Sequence, residues 1–256
     1  MKFLSLIGVE FKKIRRSKIL LILAVATIIL WFPSMLHADM NFKMQAQNIL
    51  PENNFFIQGF MGMAWFMFPA SMVVSTVLLN MTERSNKGIL KMLSLPINTM
   101  KLCLAKFVVL LNLAAVQILM TIGMYYISAG IASKIQNYNF MLQPWFVFKE
   151  AGLMFVAAIP MLAFFWLLAV WIQTPIFSIG IGLASIVPSV LMINTKLWFA
   201  YPMAYPFFVI TAEYGKRASN LTTTQVELFP WLPVAVGITI VCLFISCLCF
   251  GQAERR

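Results

Sequence analysis

The sequence predicts an all-α polytopic membrane protein with six transmembrane helices. Of its 256 residues, 61% are hydrophobic and only 11% are charged, whereas a soluble domain is about 45–50% apolar and about 25% charged. The apolar residues form runs of about 20, the length that a helix needs to cross a bilayer core about 30 Å thick. Backbone groups in lipid must be hydrogen-bonded internally, so these runs are predicted to be helices. The whole chain, 1–256, is therefore expected to form one transmembrane domain.

The predicted spans are separated by polar or basic segments. In chain order they cover residues 19–36, 55–79, 107–131, 151–172, 175–193 and 229–250. Only Gln173, Thr174 and Pro175 separate the fourth span from the fifth. One helix through both would be too long to cross once, so a tight turn is expected there.

The distribution of basic residues predicts that both termini are cytoplasmic. With the N-terminus inside, thirteen of the 19 Lys and Arg residues lie in cytoplasmic segments and six lie on the other side. Membrane proteins accumulate such residues in their cytoplasmic loops. The net charge of +11 is thus explained by topology and anionic lipid rather than by nucleic acid, because the basic residues flank apolar runs.

Residues 1–18 have the pattern of an amphipathic helix lying in the membrane interface. Phe3, Ile7, Phe11 and Ile14 recur at spacings of three and four, which places them on one helix face. The basic residues predicted to anchor this helix to anionic headgroups are Lys12, Lys13, Arg15, Arg16 and Lys18. The alternative is an unstructured basic flank that only sets topology.

A second short apolar segment, 198–210, precedes the last span on the outer side. It is too short to cross the bilayer. It carries Trp198, Tyr201 and Tyr205, and Trp and Tyr favour the depth of the headgroups. A re-entrant or interfacial segment is therefore expected, with an ordinary outer loop lying on the protein as the alternative.

A cytoplasmic helix, 82–94, is predicted between the second and third spans. Thr82 is placed to cap it, and Pro96 would end it. Ile89 and Leu93 would lie on an apolar edge, with basic residues turned toward water or a partner. Such a helix, parallel to the membrane, provides a docking surface for a soluble protein. The alternative is a basic loop that fixes topology.

The chain lacks the sequence signatures of an enzyme or an ion-coupled carrier. It has no phosphate-binding loop of the form G-x-x-x-x-G-K-[ST], and its one histidine is His37. The polar residues in the middle of the spans are neutral, whereas ion-coupled carriers usually bear charged groups there. Lys106, at the start of the third span, is expected to extend its ammonium to the inner interface. No cofactor is expected in this chain.

The cysteines are predicted to be small buried side chains. Their spacing does not match a zinc site, and three of them lie in one apolar run. The four residues are Cys103, Cys242, Cys247 and Cys249.

The segment order and one motif resemble the permease subunits of type-2 ABC exporters. The motif is E-R-x-x-x-G-I-L-K-M-L-S-L-P-I followed by L-A-K, which covers Glu83, Arg84, Gly88, the stretch 89–97 and the stretch 104–106. Within that family the chain is most similar to the permeases of lantibiotic immunity and antimicrobial-peptide resistance in Gram-positive bacteria. The resemblance covers the full chain in topology, and in residues it is concentrated near 80–106.

This resemblance implies that segment 82–94 is a coupling helix that contacts a separate ATPase subunit. The residues that it implies for this contact are Thr82, Glu83, Arg84, Lys87, Gly88 and Lys91, with Gln173, Thr174 and Pro175 as a second, minor contact. ATP and Mg²⁺ would bind to the partner. The complex would contain two ATPase subunits and a second permease, identical or similar, in a bacterial cytoplasmic membrane.

The implied activity is ATP-driven export of an amphipathic peptide or a lipid-like molecule. Two other classes stay open from the residues alone. A secondary carrier would be driven by an ion gradient, and a non-transporting scaffold or assembly factor would bind no ATPase.

Overall fold

A computed structural model describes residues 3–43, 49–84, 98–172, 174–217 and 228–253, and the regular secondary structure in these residues is helical. The helices are α1 (Phe3–Arg16), α2 (Ile19–Leu36), α3 (Met40–Lys43), α4 (Pro51–Gly62), α5 (Phe68–Arg84), α6 (Thr99–Gln136), α7 (Pro144–Trp171), α8 (Pro175–Ala184), α9 (Ser189–Met192), α10 (Tyr205–Arg217) and α11 (Leu228–Ala253). A π-helical turn, Met63–Met67, joins α4 to α5, and two 3-10 turns, Trp198–Ala200 and Pro202–Ala204, precede α10.

Among the described residues, six helical segments are long and apolar enough to cross a membrane, in agreement with the number expected from the sequence. They cover Ile19–Leu36, Pro51–Met81, Thr99–Gln136, Pro144–Trp171, Pro175–Met192 and Phe229–Phe250. The second, third and fourth are longer than predicted. Helix α6 has 38 residues, or about 57 Å at 1.5 Å per residue, so it extends beyond a bilayer core.

Three of the six segments form the centre of the bundle. In the most apolar windows of the second, third and fourth segments, 61%, 61% and 67% of the residues are buried, compared with 22% in the other three. Helices α5, α6 and α7 therefore lie in the middle. Ser71 on α5 donates a hydrogen bond from Oγ to Oε1 of Gln117 on α6 at 2.7 Å, so these polar side chains face other helices rather than lipid.

The fifth segment, Pro175–Met192, lies where the span 175–193 is predicted, but it is not one continuous helix. Helix α8 ends at Ala184, and a turn separates it from the four-residue helix α9. Pro188 lies at the end of this turn and lacks an N–H donor to continue a helix. The Tyr201 hydroxyl donates to the carbonyl of Ser185. A side chain from later in the chain thus stabilises the bend.

The segment predicted at 198–210 packs into the bundle. Residues 202–210 are buried, and Tyr205 belongs to an apolar cluster with Ala157 of α7 and Ala235 of α11. The Trp198 ring stacks on Phe208 with centroids 3.7 Å apart. The segment therefore lies on protein, and its re-entrant or interfacial depth stays a prediction.

Residues 3–16 form the expected helix, but its faces differ from the prediction. Leu6, Glu10 and Ile14 are buried, and α1 packs along α6. Phe3 and Phe11, expected on the same apolar face as Ile14, are exposed. Helix α1 therefore has a stripe that faces protein, with an acid at its centre, and separate apolar side chains that are exposed.

Candidate coupling site

The end of the bundle where α5, α7 and α11 end and α6 begins is called the inner end here, since it is predicted to face the cytoplasm. The residues predicted for ATPase coupling divide into two groups: Thr82, Glu83 and Arg84 are the last residues of α5, and Lys87, Gly88 and Lys91 lie outside the described residues. The helix of the second span continues through Thr82 to Arg84. The coupling role of all six stays a prediction.

The second predicted contact lies at the start of α8. Thr174 is the N-cap residue of that helix and Pro175 its first residue, a position that suits proline because the missing N–H would have no intrahelical partner. Gln173 lies outside the described residues. The tight turn expected between α7 and α8 stays a prediction.

A buried hydrogen bond links the helices that lead into the two predicted contacts. Asn80, one turn before the end of α5, donates from Nδ2 to the carbonyl of Ala169 at 2.5 Å. Ala169 is in the last turn of α7, where carbonyls lack intrahelical partners. The bond satisfies that carbonyl. It also holds the end of α5 against the end of α7.

Helix α6 begins with a side-chain cap. Oδ1 of Asn98 accepts hydrogen bonds from the backbone N–H groups of Met100 at 3.0 Å and Lys101 at 3.4 Å. An asparagine at this position stabilises a helix by about 1 kcal/mol relative to alanine. The cap defines where α6 starts after segment 85–97.

Trp166 connects three helices at the inner end. Its indole N–H on α7 donates to Sγ of Cys103 on α6 at 3.3 Å, and its ring stacks on Phe250 of α11 with centroids 6.4 Å apart. The Trp166 side chain is fully buried. Together with the Asn80 bond, it joins α5, α6, α7 and α11 into one packed unit.

A buried ion pair attaches α1 to this unit. The Nζ atom of Lys106 lies 2.8 Å from Oε2 of Glu10, and the two side chains are 0% and 1% exposed. The other carboxylate oxygen, Oε1, lies 2.6 Å from Nζ of Lys13. Removing one partner of a buried pair costs about 3–5 kcal/mol, because the remaining charge is left uncompensated. The pair is therefore a strong constraint on where α1 sits.

The ion pair bears on two expectations from the sequence. Lys106 does not reach the interface as expected, because its ammonium is buried on Glu10. Lys13, predicted to be a headgroup anchor, also pairs with Glu10, whereas Lys12 and Lys18 are exposed. Arg15 and Arg16 are the last two residues of α1. The lipid-anchoring role of the basic residues stays a prediction.

The pKa of Glu10 determines how this attachment responds to pH. Burial raises the pKa of the carboxyl group, but the nearby charge of Lys106 and the hydrogen bonds from Lys106 and Lys13 outweigh burial and lower it below its ordinary value of 4.5. The stabilising contribution of a carboxylate with a lowered pKa is fully present above the ordinary value. It is lost as the pH falls through the lowered value.

We expect α1 to stay docked from about pH 8 to about pH 5 and to loosen only in stronger acid. The measurement is the fluorescence anisotropy of a probe attached to Gly8→Cys in a Cys249→Ser background, since position 8 has open space around it. In the control Glu10→Gln, the acid transition should be absent. If α1 loosened near neutral pH with the native Glu10–Lys106 pair present, the lowered pKa of Glu10 would be contradicted.

A pocket of about 410 Å³ lies at the opposite end of the bundle, between α2, α3 and α4. Its lining combines apolar and polar side chains: Pro33, Ser34, His37, Met40, Asn41, Lys43, Asn54, Phe55 and Gln58. Nδ2 of Asn54 donates to Oδ1 of Asn41 at 2.8 Å. The volume is that of a small-ligand site, and the lining suits a molecule with an apolar body and a polar head.

The described residues contain no group of three or more His, Cys, Asp or Glu that could hold a metal ion. All four cysteines are free thiols, with Cys103, Cys242 and Cys247 buried and Cys249 half-buried. The burial expected from the sequence is thus confirmed for three of them.

Comparison with known proteins identifies the family. The sequence model described as "ABC-2 family transporter protein" matches residues 6–189, from α1 to the start of α9. The match includes Glu10, Lys106, Asn80 and Ala169. No curated protein and no solved structure matches the chain.

Proposed function

Because the chain belongs to the ABC-2 transporter family, of which it is a transmembrane component, we propose that it couples ATP hydrolysis on a separate subunit to the expulsion of an amphipathic molecule from the membrane. The chain is a multi-pass permease without ATPase activity of its own, and permeases of this family generally pair with ATPase subunits. ATP and Mg²⁺ would bind to that ATPase subunit.

One observation carries the coupling mechanism. The hydrogen bond from Asn80 to Ala169 joins the helix that enters segment 82–94 to the helix that enters the turn 173–175. An ATPase that contacts both segments would therefore act on one packed unit. Rigid-body movement of such a unit is a common way to switch between two states. Two ATPase subunits and a second permease would complete the complex in a bacterial cytoplasmic membrane.

The substrate class is inferred separately. The buried polar residues in the middle of the spans, such as Ser71, Gln117 and Thr121, are neutral. They favour an uncharged or amphipathic path over an ion path. Together with the sequence resemblance, this points to a lantibiotic or related antimicrobial peptide, or to a lipid-like molecule.

We expect the substitution Glu83→Lys to lower ATPase turnover stimulated by substrate by about tenfold, because reversing a charge at a docking surface opposes binding. The ATPase subunit is first identified as the protein that co-purifies with the permease. The two proteins are then co-expressed and purified together. Turnover of the reconstituted complex is measured with and without nisin. Lys134→Glu is the matched charge-reversal control, since Lys134 is an exposed charged residue in the last turn of α6, at the other end of the bundle.

The outcomes separate the alternatives. Stimulated turnover that is lost in the Glu83 variant supports both the coupling segment and the peptide substrate. A stable complex with basal turnover but no stimulation keeps the permease and rejects nisin. Transport that persists with a hydrolysis-deficient ATPase and fails without a proton gradient would replace the proposal by a secondary carrier. The absence of any ATPase complex would favour a scaffold.

A further inference from the structure

The buried Glu10–Lys106 ion pair holds α1 on the bundle. Apolar contacts alone would be enough to bury this helix. Leu6 and Ile14 already provide an apolar stripe on either side of Glu10. Replacing a buried ion pair by hydrophobic residues of similar volume is often neutral or stabilising. Burial of α1 therefore does not require the Glu10–Lys106 pair, and the pair must be explained by something other than affinity alone.

We propose that Glu10 and Lys106 are positioning residues that fix the register of α1 on α6, so that α1 and the first turns of α6 move as one rigid unit during transport. The fixed register stands on geometry alone. Its use in transport rests on the proposed function.

The geometry of the pair explains why it selects one register. An apolar stripe packs acceptably after a small rotation or slide, because its contacts are not directional. Both oxygens of the Glu10 carboxylate are engaged, one with Lys106 at 2.8 Å and one with Lys13 at 2.6 Å. A slide of α1 by one turn, about 5.4 Å, would leave the buried ammonium of Lys106 away from that carboxylate. Only one position of α1 keeps the charges together.

The location of Lys106 connects this register to the coupling segment. Lys106 lies about two turns inside α6. The helix starts at the Asn98 cap, immediately after segment 85–97. A displacement of that segment would move the start of α6, and the ion pair would pass the movement to α1. Helix α1 also carries Lys12 and ends close to Lys18, both exposed, so its movement would change the protein's contact with the inner leaflet.

The register is tested by a distance between spin labels on α1 and α6. Labels are placed at Gly8→Cys and Ile127→Cys in a Cys249→Ser background, with the permease in nanodiscs containing phosphatidylglycerol. Ile127 is exposed and lies about 30 Å from Lys106 along α6, a convenient range for pulsed electron resonance. The decisive variant is the apolar pair Glu10→Met with Lys106→Met, which keeps the helix buried without charges.

With the native pair, we expect a single narrow distribution of the distance between the two labels. With the apolar pair, the distribution should be about twice as wide. Exchanging the charges, Glu10→Lys with Lys106→Glu, should restore much of the narrow distribution. Restoration should be incomplete because Lys13 lies next to position 10. Lys101→Met, an exposed lysine on the same helix, is the control and should change nothing. An apolar pair with a distribution as narrow as that of the native pair would overturn the proposal.

The transport role is tested with the same apolar pair in the complex with its ATPase. We expect complex formation and basal turnover to be retained while nisin-stimulated turnover falls about tenfold. Equal stimulation of the native and apolar pairs would overturn the role in coupling. If the native permease binds no ATPase, the proposed function fails, and the distance measurement still decides whether the pair fixes the register.

Discussion

Replacing Trp166 with alanine is expected to destabilise the helical bundle by about 3–5 kcal/mol, the usual range for removing a large buried aromatic side chain. Trp166 is 0% exposed and contacts side chains on two other helices. The substitution leaves a cavity at the inner end, removes the N–H donor to Cys103 and removes the stacking partner of Phe250. The affected contacts are those that join α6, α7 and α11.

The same helix offers a matched control for this substitution. Trp171 is 69% exposed, so Trp171→Ala removes the same atoms without opening a cavity. The measurement is the apparent midpoint of thermal unfolding in detergent. Trp166→Ala should lower it by about 10 °C, and Trp171→Ala by much less. Equal shifts for the two variants would show that Trp166 is not a structural centre of the inner end.

The second large effect is expected from Gly59→Leu in α4. A Cβ atom at position 59 would lie 2.4 Å from Cη2 of Trp31 and 2.5 Å from its Cζ3. Trp31 cannot move aside easily, because its ring packs against Phe60 with centroids 5.9 Å apart and against Tyr125 at 5.6 Å. Overpacking a close-packed core costs about 1–3 kcal/mol and occasionally more. A full leucine side chain at this site is expected to exceed that range.

Gly152→Leu is the control for Gly59→Leu. Gly152 lies on the exposed side of α7 and has nothing within 4 Å of its Cβ position. We expect Gly152→Leu to leave the unfolding midpoint and the yield of monodisperse protein nearly unchanged, whereas Gly59→Leu lowers both. If both variants behaved like the native protein, the close approach of α4 to α2 at Trp31 would be wrong.

Where a helix ends was less clear from the sequence than where an apolar segment lies. The apolar run 175–193 looks continuous, yet α8 ends at Ala184 and a turn follows it. Pro188 inside this run was a signal that the helix could break. The Tyr201 hydroxyl that donates to the carbonyl of Ser185 comes from later in the chain, so no pattern within the run itself could show it.

The ion pair of the inner end had only a weak signal in the sequence. Glu10 was the one acid in an apolar and basic amphipathic segment, which could have marked it as exceptional. Its partner, however, is 96 positions away on another helix. Lys106 alone, at the start of an apolar run, has the pattern of a lysine that reaches toward water. The bond between Asn80 and Ala169 spans 89 positions and joins a side chain to a backbone carbonyl, for which no residue pattern exists.

The sequence by itself determined that this protein is a membrane protein with six apolar helical segments and a helix at its N-terminus. Each of these properties depends on one continuous stretch, because lipid requires every segment to satisfy its own backbone and to present an apolar surface. Only the tertiary structure decided which charges are buried, where the fifth segment bends and which helices are joined at the inner end. Those properties depend on partners from other helices, and burial of a charge is tolerated only where such a partner compensates it.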